Sequence, residues 1–263
     1  MYPLAMRRQS KIHHGRRDSS IREKAYQHIR QLIVSGTLSA GSGISELTLA
    51  KELSCSRTPI REGMSQLAAE GILEQNSRGG MLVAQLRRDD IIELYDLREA
   101  LEVYSVGKIA GLPLRQADKD RLQHLVDEIP KLKSELESSS EVKLNGEQMF
   151  RFLACDFGFH ALLMSMTQNQ RLQKIVSETR LLMRIFSLHR HGHDAQQLES
   201  IYQYHQHILD AVAEQNKEVA MRTLAEHIQA SQREQLNEFD SRRREASLRQ
   251  NMPTFFDIHK ITL

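Results

Sequence analysis

Apolar residues recur every three or four positions along most of the chain, a spacing that predicts a protein built mainly from helices. Over the last two thirds, this pattern fills six segments separated by short polar breaks, without any run of alternating apolar and polar residues. The segments lie at roughly 89–110, 115–137, 141–167, 170–190, 195–215 and 217–248. Long helices with short connections run antiparallel to their neighbours, so we expect an all-helical antiparallel bundle.

The N-terminal part has shorter elements. One helix is predicted over roughly 21–35, and a second begins after Ser45, whose hydroxyl suits the N-cap position, and continues through Leu53. A third helix begins shortly afterwards, with Thr58 as its expected N-cap and Pro59 in the first helical position. Two short helices with such a tight connection indicate a helix-turn-helix.

Two short apolar runs follow the third helix and flank a turn that contains Arg78, Gly79 and Gly80. This pattern predicts a β-hairpin, the wing of a winged helix-turn-helix, with Arg78 placed to reach the minor groove or a phosphate. The expected domains are therefore a disordered basic arm, a winged-helix domain, a helical domain and a tail. Their predicted bounds are 1–20, 21–86, 89–248 and 249–263.

The third helix has the character of a DNA-recognition helix. Its apolar stripe, which would face the core, consists of Ile60, Met64, Leu67 and Ala68. Its leading end and outer side carry Arg57, Thr58, Arg61 and Ser65. A short helix with an apolar back and a basic, hydroxyl-rich edge fits the DNA major groove, although an ordinary surface helix would show the same stripe.

The charge distribution supports a nucleic-acid partner. Residues 1–88 contain 14 of the 36 Lys and Arg and 7 of the 34 Asp and Glu, a balance of +7 that leaves −5 for the remainder. A basic part joined to an acidic part is typical of a nucleic-acid-binding module with a second domain. We find no apolar run long enough to cross a membrane. The two cysteines lack a CxxC spacing, which suits a reducing cytoplasm.

Residues 21–85 resemble the winged-helix domain of the GntR family of bacterial transcription regulators. The matching residues are Leu49-Ala50, the run from Ser56 to Glu62, Leu67, the run from Glu70 to Leu73, and Arg78-Gly79-Gly80. The resemblance implies that Arg57 and Arg61 contact an operator and that Gly79 or Gly80 approaches the minor groove. The chain departs from the family at Gly63, where alanine is usual and glycine costs up to ~1 kcal/mol of helix propensity. It also departs at Leu47, where some relatives carry a DNA-contacting arginine.

Four polar residues in the helical part occupy positions where the pattern would place apolar ones. Asp156 and His160 lie four residues apart on one helix, and His205 and His227 lie on two later helices. A buried carboxylate needs a partner or a metal. Each histidine alone is explained by a hydrogen bond to a core carbonyl, but four such groups on three helices favour a metal site. This donor set suits zinc, nickel, manganese or iron.

Four other histidines of this part are expected to be surface residues. His189, His191 and His193 are crowded into a glycine-containing loop after a helix end. His207 lies two residues from His205 and therefore faces the other way.

Residues 89–240 resemble the FCD domain, the effector-binding domain of the FadR-type branch of GntR regulators. The matching residues are 94–102, 156–160, 205–211, 220–221 and His227. The resemblance implies that Asp156, His160, His205 and His227 bind a divalent metal, zinc foremost, and that the carboxylate of an organic acid completes the metal's ligands. Tyr204 stands where relatives usually carry Glu, which affects the surroundings of the metal.

Arg98 lies on the inner stripe of the first long helix, so an arginine also points into the bundle. It is a candidate for bidentate binding of an effector carboxylate, with an internal salt bridge to an inward Glu as the alternative. Arg180 is a second candidate for effector binding, on the flank of its helix.

The expected function is a ligand-responsive transcription regulator, not an enzyme, that binds an inverted-repeat operator in double-stranded DNA as a cytoplasmic homodimer. A small organic acid at the metal site would control DNA binding. A direct metal sensor is the first alternative. A metal-dependent hydrolase with an attached DNA-binding domain is the second, although the pattern shows no separate inward carboxylate to act as a general base.

Overall fold

The computed structural model describes residues 10–77, 79–187 and 192–251. The chain divides into two compact units, one formed by Met1–Leu86 with Lys174–His191 and the other by Arg87–Gln173 with Gly192–Leu263. The predicted fold class, a winged helix-turn-helix followed by an all-helical bundle, is confirmed.

The N-terminal segment of the first unit contains three helices and a three-stranded antiparallel sheet. In chain order they are α1 (Ser10–Val34), β1 (Gly43–Ile44), α2 (Glu46–Glu52), α3 (Arg57–Ala69), β2 (Leu73–Gln75) and β3 (Met81–Val83). The strand order is β1-β3-β2, so β1 pairs with one edge of the predicted hairpin. This strand was not predicted, because two residues are too few to show a periodic pattern. Gly79 and Gly80 have φ values of +86° and +93°, a conformation that L side chains rarely adopt, which explains the glycines in this turn.

The caps of α2 and α3 differ in how well the sequence predicts them. Ser45 caps α2 as expected, and its Oγ accepts a hydrogen bond from Thr48 N at 3.2 Å. The prediction for α3 is wrong, because Ser56 is the N-cap and Thr58 lies inside the helix. Pro59 is the third helical residue. It loses no hydrogen bond there, since the first four N–H groups of a helix have no partner within it.

Helix α1 begins at Ser10, well before the position expected from periodicity. The structure therefore differs from the prediction of a disordered arm for residues 10–20, whereas residues 1–9 lie outside the described part. The added stretch contains no proline, and extending a nucleated helix gains one hydrogen bond for each residue fixed.

The core of the first unit lies where α3 crosses α1. Ile29, Ile60 and Leu67 are fully buried there. Gly63 is also buried, and a Cβ added at this residue would lie 3.0 Å from Tyr26 N and 3.3 Å from Arg22 O. The glycine therefore permits a close helix crossing, which accounts for its presence in α3.

The second unit is a bundle of long helices. Their bounds are α4 (Arg88–Ile109), α5 (Gln116–Glu137), α6 (Gly146–Met166), α8 (Ala195–Ala213) and α9 (Lys217–Asn251). Helix α4 packs against α6 and α9, while α8 packs against α5 and α9. These bounds agree with the predicted segments to within a few residues at most ends, and α9 continues into the predicted tail as far as Asn251.

Helix α7 (Gln170–Ser187) follows α6 in the chain, but residues 174 onward group with the first unit. Leu182 packs against the hydrophobic core of that unit. The sequence pattern placed the whole helix in the bundle, because periodicity shows that a helix has an apolar face but not which core that face covers.

Among the described helices, α6 is long and apolar enough to cross a membrane by length and composition alone, with a mean hydropathy of 1.2. The prediction that no such run exists overlooked it. Phe152, Phe159 and Leu163 of α6 are buried in the bundle and account for part of its apolar character.

Candidate functional sites

Helices α6, α8 and α9 bring the four predicted metal ligands together. Asp156 and His160 project side by side from α6, one helical turn apart, and meet His205 of α8 and His227 of α9. One ligand atom from each of the four lies within 4.8 Å of all the others. His160 and His205 are fully buried and His227 is 2% exposed.

The distances between ligand atoms fit a metal site. His205 Nε2 lies 3.3 Å from His227 Nε2 and 3.4 Å from Asp156 Oδ1. His160 Nε2 lies 3.9 Å from the same carboxylate oxygen. Ligands bound tetrahedrally at ~2.0 Å from zinc lie roughly 3.3 Å from one another, so small side-chain movements would complete such a site. Three imidazoles and one carboxylate also leave positions open in a larger shell.

Glu102 and Arg98 of α4 form a buried layer behind His160. Arg98 Nε donates to Glu102 Oε1 at 3.1 Å, and the side chains are 6% and 0% exposed. This is the internal salt bridge that was the alternative to effector binding by Arg98. Glu102 was not among the predicted site residues, although it lies four residues after Arg98 and so on the same face of the helix.

The same layer selects the tautomer of His160. Arg98 Nη2 lies 3.0 Å from His160 Nε2, and a guanidinium can only donate, so Nε2 must accept. The imidazole proton is then on Nδ1, which lies 2.8 Å from Glu102 Oε2, although this contact is poorly aligned for a hydrogen bond. The lone pair of Nε2 faces the cluster but accepts from Arg98, so a metal bound to this nitrogen would replace that hydrogen bond.

The electrostatics of the cluster favour the ligand forms of Asp156 and His227. Burial opposes ionisation of Asp156, but the hydrogen bond with His205 and the charges of His205 and Arg98 outweigh it, so the pKa of this carboxyl is well below its usual range. Burial lowers the pKa of His227 well below its usual value, and the charges of His205 and Arg98 add to this effect. Metal binding requires these two forms, carboxylate and neutral imidazole.

Aromatic rings hold two of the imidazoles in place. Phe159 stacks on His205 with centroids 4.3 Å apart, and the ring of Tyr204 lies 5.3 Å from that of His227. Tyr204 thus packs directly beside a candidate ligand, as its position in the sequence suggested.

The four histidines predicted to lie on the surface divide into three groups. His207 is exposed on α8, as predicted. The prediction is wrong for His193, which is 3% exposed and packs edge-on against Phe152 with ring centroids 4.6 Å apart. The backbone explains this burial, because Leu144 N donates to His193 O at 2.9 Å and so holds the loop on the bundle. His189 and His191 lie outside the described residues.

Arg180, the second candidate for effector binding, is 7% exposed and lies in the part of α7 that groups with the first unit. The four candidate metal ligands and Arg98 all belong to the second unit. Of the two candidate arginines, Arg98 therefore belongs to the same unit as the cluster and Arg180 to the other unit.

The predicted DNA-binding side chains lie on the outer side of α3. Arg57, Thr58, Arg61 and Ser65 are all exposed. Arg57 Nη2 and Arg61 Nη2 both donate to Glu46 Oε2, at 2.7 and 2.9 Å. Hydrogen bonds from Arg61 and then Arg57 lower the pKa of Glu46 to about 2, so it is ionised at neutral pH.

Two other predicted positions border this surface. Gly79 is exposed in the β2–β3 turn, whereas Arg78 lies outside the described residues. Leu47, the second residue of α2, is 56% exposed. It is therefore an exposed apolar side chain beside the charged Glu46.

The chain matches two families. Residues 21–83 match "Bacterial regulatory proteins, gntR family" and residues 93–230 match "FCD domain". An uncharacterized HTH-type transcriptional regulator of Bacillus subtilis, YdhC, is 28% identical over 202 residues, which cover 77% of this chain and 85% of that protein. The gluconate operon transcriptional repressor of the same species is 28% identical over 164 residues, covering 62% of each chain.

Solved structures share the fold. The structure of E. coli McbR/YncC superimposes with a TM-score of 0.68 at 17% identity, covering 83% of this chain and 98% of that one. A putative transcriptional regulator GntR from Rhodococcus sp. RHA1 gives a TM-score of 0.67 at 20% identity, with the same coverage of 83% and 98%.

A winged helix-turn-helix joined to an FCD-type helical domain defines a DNA-binding transcription regulator, not an enzyme. The chain belongs to the GntR family of bacterial regulators, in the branch that carries an FCD domain.

Proposed function

We propose that this regulator binds an inverted-repeat operator as a homodimer in the cytoplasm and that an organic acid bound at a metal site controls its affinity for DNA. The observation that carries the proposal is the convergence of Asp156, His160, His205 and His227 from three helices. A divalent metal, zinc foremost with nickel, manganese or iron as alternatives, would be held by these four residues. When bound, it would supply a Lewis acid that attracts the carboxylate of the effector.

Arg98 is the proposed second contact for that carboxylate. Its guanidinium lies at the cluster and makes one hydrogen bond to Glu102 through Nε, so further donors face the imidazoles. The effector would shift the balance between a state with high affinity for DNA and a state with low affinity. The coupling must be reciprocal, so bound DNA changes the affinity for the effector by the same factor. Arg180 has no comparable support within the second unit, and we retain it only as a candidate for effector binding.

The metal proposal is tested by measuring the metal content of the purified protein by mass spectrometry. We expect one ion per chain in the wild type and a loss of the ion in His205→Ala. The matched control is His207→Ala, which removes an exposed imidazole from the same helix and should retain the ion. Retention of metal by His205→Ala would contradict the assignment of the ligands.

The effector is tested by the affinity for operator DNA, measured with a chelator, with metal alone, and with metal plus candidate organic acids. A change that requires both metal and acid supports the proposal. A change with metal alone would identify a direct metal sensor. The hydrolase alternative gains nothing from Glu102, because this carboxylate faces Nδ1 of His160, the side of the ring away from the candidate metal position.

The DNA-binding surface is tested by Arg57→Ala and Arg61→Ala. Each is expected to weaken operator binding by roughly 1–3 kcal/mol if the side chain reads a base. The affinity should also fall steeply as salt is raised, since bound phosphates displace counterions. Unchanged operator affinity in both variants would refute the assignment of α3 as the recognition helix.

A further inference from the structure

Glu46 joins the two arginines that we assign to operator binding. Its carboxylate accepts four hydrogen bonds from them, two from each guanidinium. Arg57 donates from Nε at 3.1 Å and from Nη2 at 2.7 Å, and Arg61 donates from Nε at 3.1 Å and from Nη2 at 2.9 Å. Glu46 itself is the first residue of α2 and its side chain is 23% exposed. One carboxylate of the first helix of the motif thus holds two side chains of the second.

The atoms used in these contacts leave a defined part of each guanidinium free. A guanidinium carries five N–H groups in one plane, and Nε with Nη2 forms its side edge. Because Glu46 takes the side edge of both Arg57 and Arg61, the end formed by Nη1 and Nη2 remains available. This end has two parallel N–H groups, the arrangement that binds guanine O6 and N7 in the major groove.

Glu46 also changes what the arginines can bind well. Their side chains are 58% and 63% exposed, so without an anchor they would sample many rotamers. A free arginine reaches a phosphate as readily as a base, whereas a carboxylate at this position repels a phosphate placed beside it. The ion pairs therefore favour end-on contact with a base over contact with the DNA backbone.

We propose that Glu46 is a specificity-determining positioning residue, which fixes Arg57 and Arg61 with their outer ends directed at guanine bases and disfavours their binding to phosphates. The inference rests on the proposed role of the two arginines in operator binding. The same contacts would also allow a different role, in which Glu46 blocks both arginines from binding any DNA. That role predicts that removal of the charge strengthens binding to all DNA sequences equally.

The experiment compares Glu46→Gln with the wild type on two DNA duplexes. The first is a duplex selected from a random-sequence library by the wild-type protein, and the second is a shuffled duplex of the same length and composition. Affinities are measured by fluorescence anisotropy at several salt concentrations. We expect the ratio of the two affinities to fall by roughly 5- to 150-fold, the range for one bidentate base contact. Binding to the shuffled duplex should become tighter and more dependent on salt.

Glu52→Gln is the matched control. It removes the same charge from the same helix, but Glu52 pairs with His28 and makes none of the hydrogen bonds to Arg57 or Arg61 described above. This variant should keep the wild-type affinity ratio. If it lowers the ratio as much as Glu46→Gln does, the effect comes from net charge and the proposal is wrong.

A second variant covers the case in which Glu46→Gln does not fold, as judged by circular dichroism. Glu46→Asp keeps the charge but is too short to hold both guanidiniums, so the affinity ratio should fall without tighter binding to the shuffled duplex. An unchanged ratio in the folded variant, or an equal gain on both duplexes, would overturn the proposal.

Arg57→Ala and Arg61→Ala distinguish a wrong recognition surface from a wrong role for Glu46. If neither affects binding, the recognition surface itself is misassigned; if they do and Glu46 variants keep the ratio, only the role of Glu46 fails.

Discussion

The buried pair of Arg98 and Glu102 offers a quantitative test of the bundle interior. Replacing Arg98 with Met removes the guanidinium and leaves the carboxylate of Glu102, which is 0% exposed, without its cationic partner. Breaking a buried pair in this way costs about 3–5 kcal/mol, because the remaining charge stays desolvated. The lower end of this range applies here, since His160 Nδ1, which carries the imidazole proton, still lies 2.8 Å from Glu102 Oε2.

We therefore expect Arg98→Met to destabilise the protein by about 3 kcal/mol. For a domain of this size, such a loss lowers the melting temperature of the bundle by about 6–12 °C. The double variant Arg98→Met with Glu102→Gln removes both charges, while the amide of the new side chain can still face His160. It should be less destabilised than the sum of the single variants, with a coupling energy of about 1–3 kcal/mol.

The coupling energy is measured by a double-mutant cycle. Calorimetric melting at neutral pH is recorded for the wild type, both single variants and the double variant. Each protein is first treated with a chelator, so that loss of a bound ion does not contribute to the differences. Additive effects of the two substitutions would show that the side chains do not interact, and the layer behind His160 would have to be described differently.

Three further predictions concern the fold. Gly192→Ala should cost about 1–3 kcal/mol in calorimetric melting, since a Cβ there would lie 1.9 Å from Leu144 O, a backbone atom that moves only with its loop. Ser45→Ala removes the side-chain cap of α2 and should cost about 1 kcal/mol in urea unfolding. Burial and the hydrogen bond to Glu70 raise the pKa of Tyr26 to about 12, so absorbance titration should find a tyrosine that ionises near this pH and is lost in Tyr26→Phe. The stability this shift provides is present below pH ~10 and is lost between ~10 and 12.

The long helices were predictable because their apolar residues recur at helical spacing, which each segment shows in its own sequence. The candidate metal ligands were predictable for a related reason: Asp156 and three histidines are conspicuous exceptions within such stripes. Their convergence at one point depends on the packing of α6, α8 and α9, which the sequence pattern does not specify and the structure supplies.

Other features depend on contacts between distant residues and could not be read from local patterns. Glu102 looked like one more charged residue, since its burial depends on His160, which lies 58 positions later in the chain. His193 was mistaken for a surface residue because its loop is polar, whereas the backbone hydrogen bond from Leu144 holds it against Phe152. The start of α3 was misplaced for a simpler reason, because Ser56 and Thr58 are both residue types that favour the N-cap position.

The close crossing at Gly63 separates two kinds of change in the recognition helix. On the buried side of α3, backbone atoms of α1 would lie 3.0–3.3 Å from a Cβ added at this glycine, so a larger side chain there requires α1 to shift. The outer side, with Thr58 and Ser65, is exposed and contributes little to the core. Operator preference can therefore diverge through substitutions on the outer side while the domain keeps its stability, which is what a family of regulators with many different target sites requires of its common scaffold.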